Sequence, residues 1–116
     1  MGRAIVINTS GGGGSGGGGI RLPYTLVSNT VTAINPSAPT VDGAHLVVNL
    51  TQPSGGKGLI SWGANVATPS TTPAGPTPPL NLNPTPGAVI NISFVGVVGG
   101  TGAGAYALWS CTGIFP

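Results

Sequence analysis

The sequence predicts an all-β chain, a small antiparallel β-sandwich or open barrel with an extended N-terminal arm. Three observations lead there. Apolar residues recur with period two in several short runs, as on strands that bury one face. No stretch keeps a helical 3.6-residue period over a useful length. The 22 Gly and 12 Pro among 116 residues punctuate the runs like the turns of short strands. One domain with a modest core fits this length, since such a chain buries roughly two-thirds of its unfolded surface. The expected division is an arm and tether over residues 1–19 and a β-sandwich over 20–116.

In chain order, Arg3-Ala4-Ile5-Val6-Ile7-Asn8 is β-branched and strand-like. The glycines from Gly11 to Gly19, interrupted by Ser15, cannot hold a strand or helix alone, because ordering glycine costs the most backbone entropy. The tract has two readings. It is an engineered flexible linker, which would take everything before Ile20 out of the fold. Alternatively it tethers a natural arm that adds a strand to another subunit's sheet edge, with Arg3, Ile5, Val6 and Ile7 as the partner-binding residues.

Tyr24–Ser28 reads as a strand, Asn29 as a break or bulge, and Val31–Ile34 as the strand's continuation, ended by Asn35-Pro36. Pro36 and Pro39 then exclude a central strand as far as Gly43. His45–Thr51 places Leu46, Val48 and Leu50 on one face. Across the turn from Pro53 to Gly58 it is expected to form a hairpin with Leu59–Trp62, whose Ile60 and Trp62 make the matching face. Seven prolines between Thr68 and Pro86 make an extended connector that cannot donate regular ladder bonds. Leu80 and Leu82, two apart, are expected to hold it to the core. Ile90, Ile92 and Phe94 share one face of Val89–Val95. In the last run, Ala105–Ser110, Tyr106 and Leu108 alternate with Ala107 and Trp109. The predicted core is Leu46, Val48, Leu50, Ile60, Trp62, Ile90, Ile92, Phe94 and Leu108.

Composition narrows the function. The charged set is Arg3, Arg21, Asp42 and Lys57, 3% of residues against an average near 25%. Polar surface must therefore come from Asn, Thr, Ser and main chain, and neighbouring molecules are expected to cover much of the rest. The net charge of +2 arises from three scattered cations and makes no nucleic-acid patch. A hydrophobic fraction of 40% argues against disorder despite the Gly and Pro content. Cys111 is alone, so it reads as a small apolar side chain. There is no charged-then-apolar leader at Met1 and no apolar run near 18 residues. The expectation is a soluble, unprocessed product of a reducing compartment, with no membrane partner.

Candidate chemical motifs fail on their own requirements. Gly100-x-Gly102-x-x-Ala105 imitates a dinucleotide-binding turn, but that turn needs a following helix, a second parallel strand and an acidic residue about 20 positions on. The segment reads as a Gly-rich hairpin loop. His45 is the one histidine and Asp42 the one acid, so neither a metal cluster, a carboxylate pair nor a Ser/His/Asp triad is indicated. No enzyme activity, catalytic residue, metal or cofactor is expected. Asn8-Thr9-Ser10, Asn49-Leu50-Thr51 and Asn91-Ile92-Ser93 match the glycosylation pattern by chance within strands. The aromatics divide between core packing and interface. Tyr24, Trp109 and Phe115 are the candidate interface residues, and Trp62, Trp109, Tyr24 and Tyr106 are the alternative makings of a sugar platform.

The central stretch resembles a module found at the ends of bacteriophage tail-fibre and other virion proteins. The residues that carry the likeness are Gly55-Gly56-Lys57, Ile60-Ser61-Trp62, Val66, Pro73–Leu80, Val89–Phe94, Gly96 and Tyr106, about half the chain between Asp42 and Trp109. The aspartates of that family's turn and last hairpin are missing here, and no fibre shaft or coiled coil precedes the module. The resemblance implies a non-enzymatic, β-rich, often trimeric protein of the virion, assembled in the host cytoplasm.

The expected function is therefore a bacteriophage structural protein, a capsid decoration or cement subunit that binds the virion lattice. Its partners would be sister subunits in a homotrimer and a major capsid or tail protein. The alternative is a tail-fibre or spike tip that binds a host glycan.

Overall fold

A computed structural model describes residues 20–115 of the chain. The expected arm lies outside the described residues. Within them, six strands run in order: β1 (Ile20–Thr25), β2 (Val31–Ile34), β3 (His45–Thr51), β4 (Leu59–Trp62), β5 (Val89–Gly99) and β6 (Tyr106–Phe115). A single 3-10 turn, Gly102–Gly104, joins β5 to β6, so the Gly-rich stretch is the hairpin loop the sequence predicts. The fold is all-β. One sheet has the order β1-β3-β5-β6 and a second consists of β2 and β4.

The two sheets share one core. Leu46, Val48 and Leu50 of β3, Ile90, Ile92 and Phe94 of β5 and Trp109 of β6 meet Ile34 of β2 and Ile60 of β4, all buried, with Leu26 and Val66 from the connections. The period-two faces of β3 and β5 are responsible, because strands with apolar residues at alternate positions lower their free energy by turning that face to a second layer. Trp62 is half-buried, stands edge-on to Phe94 with ring centroids 5.3 Å apart, and donates its indole N–H to Pro79 O at 2.8 Å.

Three expectations about connectivity and core are corrected. First, β3 and β4 are not a hairpin: β3 pairs with β1 in parallel and with β5 antiparallel, while β4 pairs in parallel with β2. Second, the first strand is Ile20–Thr25 rather than Tyr24–Ser28, and Val31–Ile34 does not continue it but crosses to the other sheet, the chain turning at Asn29, whose φ is 55°. The described chain thus makes the same excursion twice, β1 to β2 and β3 to β4, and the two excursions lie side by side. Third, the core face of β6 is the face of Trp109, 1% exposed, and Leu108 is half-buried on the other side. Alternation alone leaves the two faces of that run equivalent; only the neighbouring layer chooses between them.

The crossing from β3 to β4 depends on a buried amide. Gln52 is 2% exposed. Its Oε1 accepts from Gly58 N–H at 2.7 Å, and its Nε2 donates to Gly58 O at 3.3 Å and Asn83 O at 3.0 Å. The carboxamide stands in for a neighbouring strand where the chain leaves one. Gly58 must be glycine because a Cβ there would run into Leu26 and the Gln52 amide. Gly96 meets the same constraint against Pro39 and Val41 O, where the segment returning from β2 crosses the core face of β5.

The Pro-rich connector carries no strand, as expected. Its attachment differs in detail, since Leu82 packs against the core while Leu80 is 52% exposed. The Trp62 indole bond to Pro79, the Gln52 amide bond to Asn83 O and the Lys57 N–H bond to Pro84 O add to the holding.

Two stability measurements check this arrangement. Trp109→Ala is expected to lower unfolding free energy by about 3–5 kcal/mol, and Trp62→Ala by less, because its ring is only half-buried. Gln52→Ala should cost roughly 1–3 kcal/mol by stranding Gly58 and Asn83 groups without partners. Urea titration of each variant decides, and an exposed-site cost below about 0.5 kcal/mol for Trp109 or Gln52 would contradict the packing.

Candidate interaction surface

The second face of the four-stranded sheet has no layer over it among the described residues. Register places its rows as Thr25–Thr51–Val89, Pro23–Asn49–Asn91 and Arg21–Val47–Ser93 across β1, β3 and β5. Into β6 they continue with Gly113 opposite Ser93, Ser110 opposite Val95 and Leu108 opposite Val97. Most of these side chains are half-buried by their own neighbours. The side chains of the face are therefore closely set.

Its chemistry is almost free of charge. Arg21 sits at the β1 margin and His45 at the start of β3. Val47, Val95, Val97 and Leu108 supply the apolar part. The polar part is paired in two places: Asn49 Nδ2 donates to Asn91 Oδ1 at 2.6 Å, and Ser93 Oγ meets Thr112 Oγ1 at 2.7 Å. Thr112 is the extra residue of a bulge between the Ser93 and Phe94 pairings. The paired groups lose less on desolvation than unpaired ones would, since each keeps a partner when water leaves.

The expected site residues are distributed unevenly. Trp109, expected at an interface, is instead in the core: its indole donates to Ser37 O at 2.7 Å, and its main chain pairs with Asn65 and Ala67. Tyr24 is half-buried and packs against the core cluster. Phe115 pairs opposite Asn91 at the end of β6. Arg3, Ile5, Val6 and Ile7 lie outside the described residues. Sequence reasoning missed Asn49 and Asn91; the signal was present, as both occupy the polar positions of strongly alternating runs. It also missed Gln52, which no local pattern marks.

No group of three His, Cys, Asp or Glu side chains comes together among the described residues. Asp42 instead accepts the main-chain N–H of Val98 at 3.0 Å, closing the end of β5. Comparison with protein-family models, curated proteins and solved structures finds no match.

Burial raises the pKa of Tyr24 and of Cys111, with a main-chain hydrogen bond from Asn35 or Gly113 respectively pulling part of the way back. Folding therefore holds both protons more tightly than the unfolded chain does. Stability contributed this way is complete below the ordinary thiol and phenol values, about 8.5 and 10, and is lost as pH rises past them through the raised values of the folded state. Denaturant midpoints should fall over that range, and the double variant Tyr24→Phe, Cys111→Ser should flatten the decline. A decline that persists undiminished in the double variant would assign it to other groups.

Proposed function

We propose that this chain is a non-enzymatic structural subunit of a virus particle, a capsid decoration or cement protein that lies on the lattice by its open sheet face. The observation that carries the reading is that face: four strands wide, nearly uncharged, with Asn49 paired to Asn91 and Ser93 to Thr112. A protein with four charged side chains in 116 residues has little else to keep it apart from its own kind in solution. Apposition to a protein surface is the condition such a face suits. The virion setting follows the resemblance of the central residues to tail-fibre and virion modules.

The arm residues Arg3, Ile5, Val6 and Ile7 supply the second contact, a strand for a neighbouring subunit's sheet, and sister copies and a coat or tail protein are the partners. The fibre-tip reading with a host glycan has less support. It draws on aromatic side chains, and Trp109 is buried and committed to Ser37. Trp62 is committed likewise to Phe94 and Pro79.

Co-sedimentation with particles of the virus that carries the gene tests the proposal. Val47→Glu and Val95→Glu place unpaired charges on the face and are expected to reduce bound protein at least tenfold while leaving the circular dichroism spectrum unchanged. Deleting residues 1–19 should also release the protein from the particle. Full occupancy in all three variants would refute both contacts. Specific retention on a glycan array, with no particle binding by the intact chain, would favour the fibre-tip reading.

A further inference from the structure

The strand edges of the two sheets differ in how far they resist a further strand. Leu26 N–H bonds Thr51 O, so alternation turns the main-chain groups of Arg21, Pro23 and Thr25 away from β3, toward the outer edge of β1. Pro23 has no N–H to offer there and Arg21 adds a charge, two devices that blunt an edge. The second sheet's strands, β2 and β4, have only four residues each. β6 is ten residues long and contains neither proline nor charge.

One position of the β6 edge, Trp109, is already taken. Trp109 N–H bonds Asn65 O at 2.8 Å and Trp109 O accepts from Ala67 N–H at 2.8 Å, so Trp109 turns its main chain outward. Alternation carries the same direction to Cys111 and, after the bulge at Thr112, to Ile114. Among the described residues no other segment's main chain bonds them on that side. Ile114 is 50% exposed beside them. An unprotected, uncharged edge of this kind is a template for an added strand.

We propose that the open end of β6, Cys111–Ile114, accepts the Arg3–Asn8 segment of a second copy of this chain as an added strand. The proposal rests on the reading of the chain as a subunit that meets sister copies. Arg3–Asn8 is about 20 Å long as a strand at ~3.3 Å per residue, has no proline, and carries Ile5 and Ile7 on one side to meet Ile114. The tether joins the arm to Ile20 at the opposite margin of the sheet. To reach its own β6 edge, an arm would cross four strand spacings, about 19 Å, and the tether would lie over the open face. Residues 9–19 span about 17–20 Å as a flexible chain, enough to reach a neighbour and leave that face clear. Arm-to-edge links run head to tail; where the rotation between copies closes they make a ring, which at three copies is the expected trimer, and otherwise an open fibre.

Complementary variants test the exchange without any virus particle, so its outcome is independent of particle binding. The chain lacking residues 1–19 keeps the edge and the whole core described above but has no arm. Ile114→Pro keeps the arm but loses the outward N–H, leaving the β5 ladder intact. Light-scattering mass should show an oligomer for the intact chain, monomers for each variant, and a one-to-one complex when the two are mixed. A synthetic Arg3–Asn8 peptide added to the truncated chain should slow amide exchange at Cys111 and Ile114 at least tenfold, which keeps the test decisive if the proline variant fails to fold. A monomeric intact chain, an unchanged mass after truncation, or no slowing by the peptide would overturn the proposal. A monomeric intact chain whose Cys111 and Ile114 amides lose protection on truncation would instead assign the arm to its own edge.

Discussion

The buried carboxamide of Gln52 is the interaction on which the two-sheet arrangement depends. At the end of β3 the chain must leave one sheet and enter the other, and a main chain crossing that gap inside the protein has no strand to pair with. Gln52 bonds both the N–H and the C=O of Gly58 and reaches Asn83 with its remaining donor. A buried amide satisfied on both of its ends is stabilising where an unsatisfied one would cost about 1–3 kcal/mol. The turn it closes brings Lys57 into a left-handed conformation, φ 62°, with its N–H on Pro84 O and its C=O receiving Asn29 N–H. Three separate connections therefore meet at this corner.

From that corner the rest of the packing follows. Because β3 and β4 belong to different sheets, β1 and β2 can lie alongside them in parallel, and β5 is left to pair with β3 on its other side. The β5–β6 hairpin then brings Trp109 under the loop at Ser37, while Asn65–Ala67 runs beside the Trp109 main chain. One tryptophan joins three sequence-distant segments, through its ring in the core, its indole N–H and its backbone. Gly96 permits the last close approach, letting Pro39 and Val41 lie directly on β5.

Among the described residues, a small two-stranded sheet covers one face of a larger four-stranded one and leaves the other without a layer. The composition of that second face answers the inequality: valines and a leucine lie between polar residues, with Asn49 bonded to Asn91 and Ser93 to Thr112. The margins are handled differently. β1 carries proline and arginine at its edge, whereas the far half of β6 carries neither. The open face and the open edge adjoin at β6, where surface contact with a particle and strand exchange with a sister copy would be neighbouring events.

What the residues determined alone was the local part. Alternation in Leu46-Val47-Val48-Asn49-Leu50 and in Ile90-Asn91-Ile92-Ser93-Phe94 specifies strands and their buried faces, because a period of two has one meaning on a pleated backbone. Gly99–Gly104 specified a hairpin loop and the prolines a connector without ladder bonds, since both act through their own φ angles and hydrogen-bonding groups. Pairing was not legible. Pro53–Gly58 has the composition of a hairpin turn, and only Gln52, meeting Gly58 and Asn83 in space, sends the following strand to the other sheet. Tyr106–Trp109 alternates equally well on either face, and only the layer above β6 decided that Trp109 goes inside and Leu108 faces out. Partner choice, burial and edge exposure arise from contacts between residues tens of positions apart, which a period along the chain does not encode.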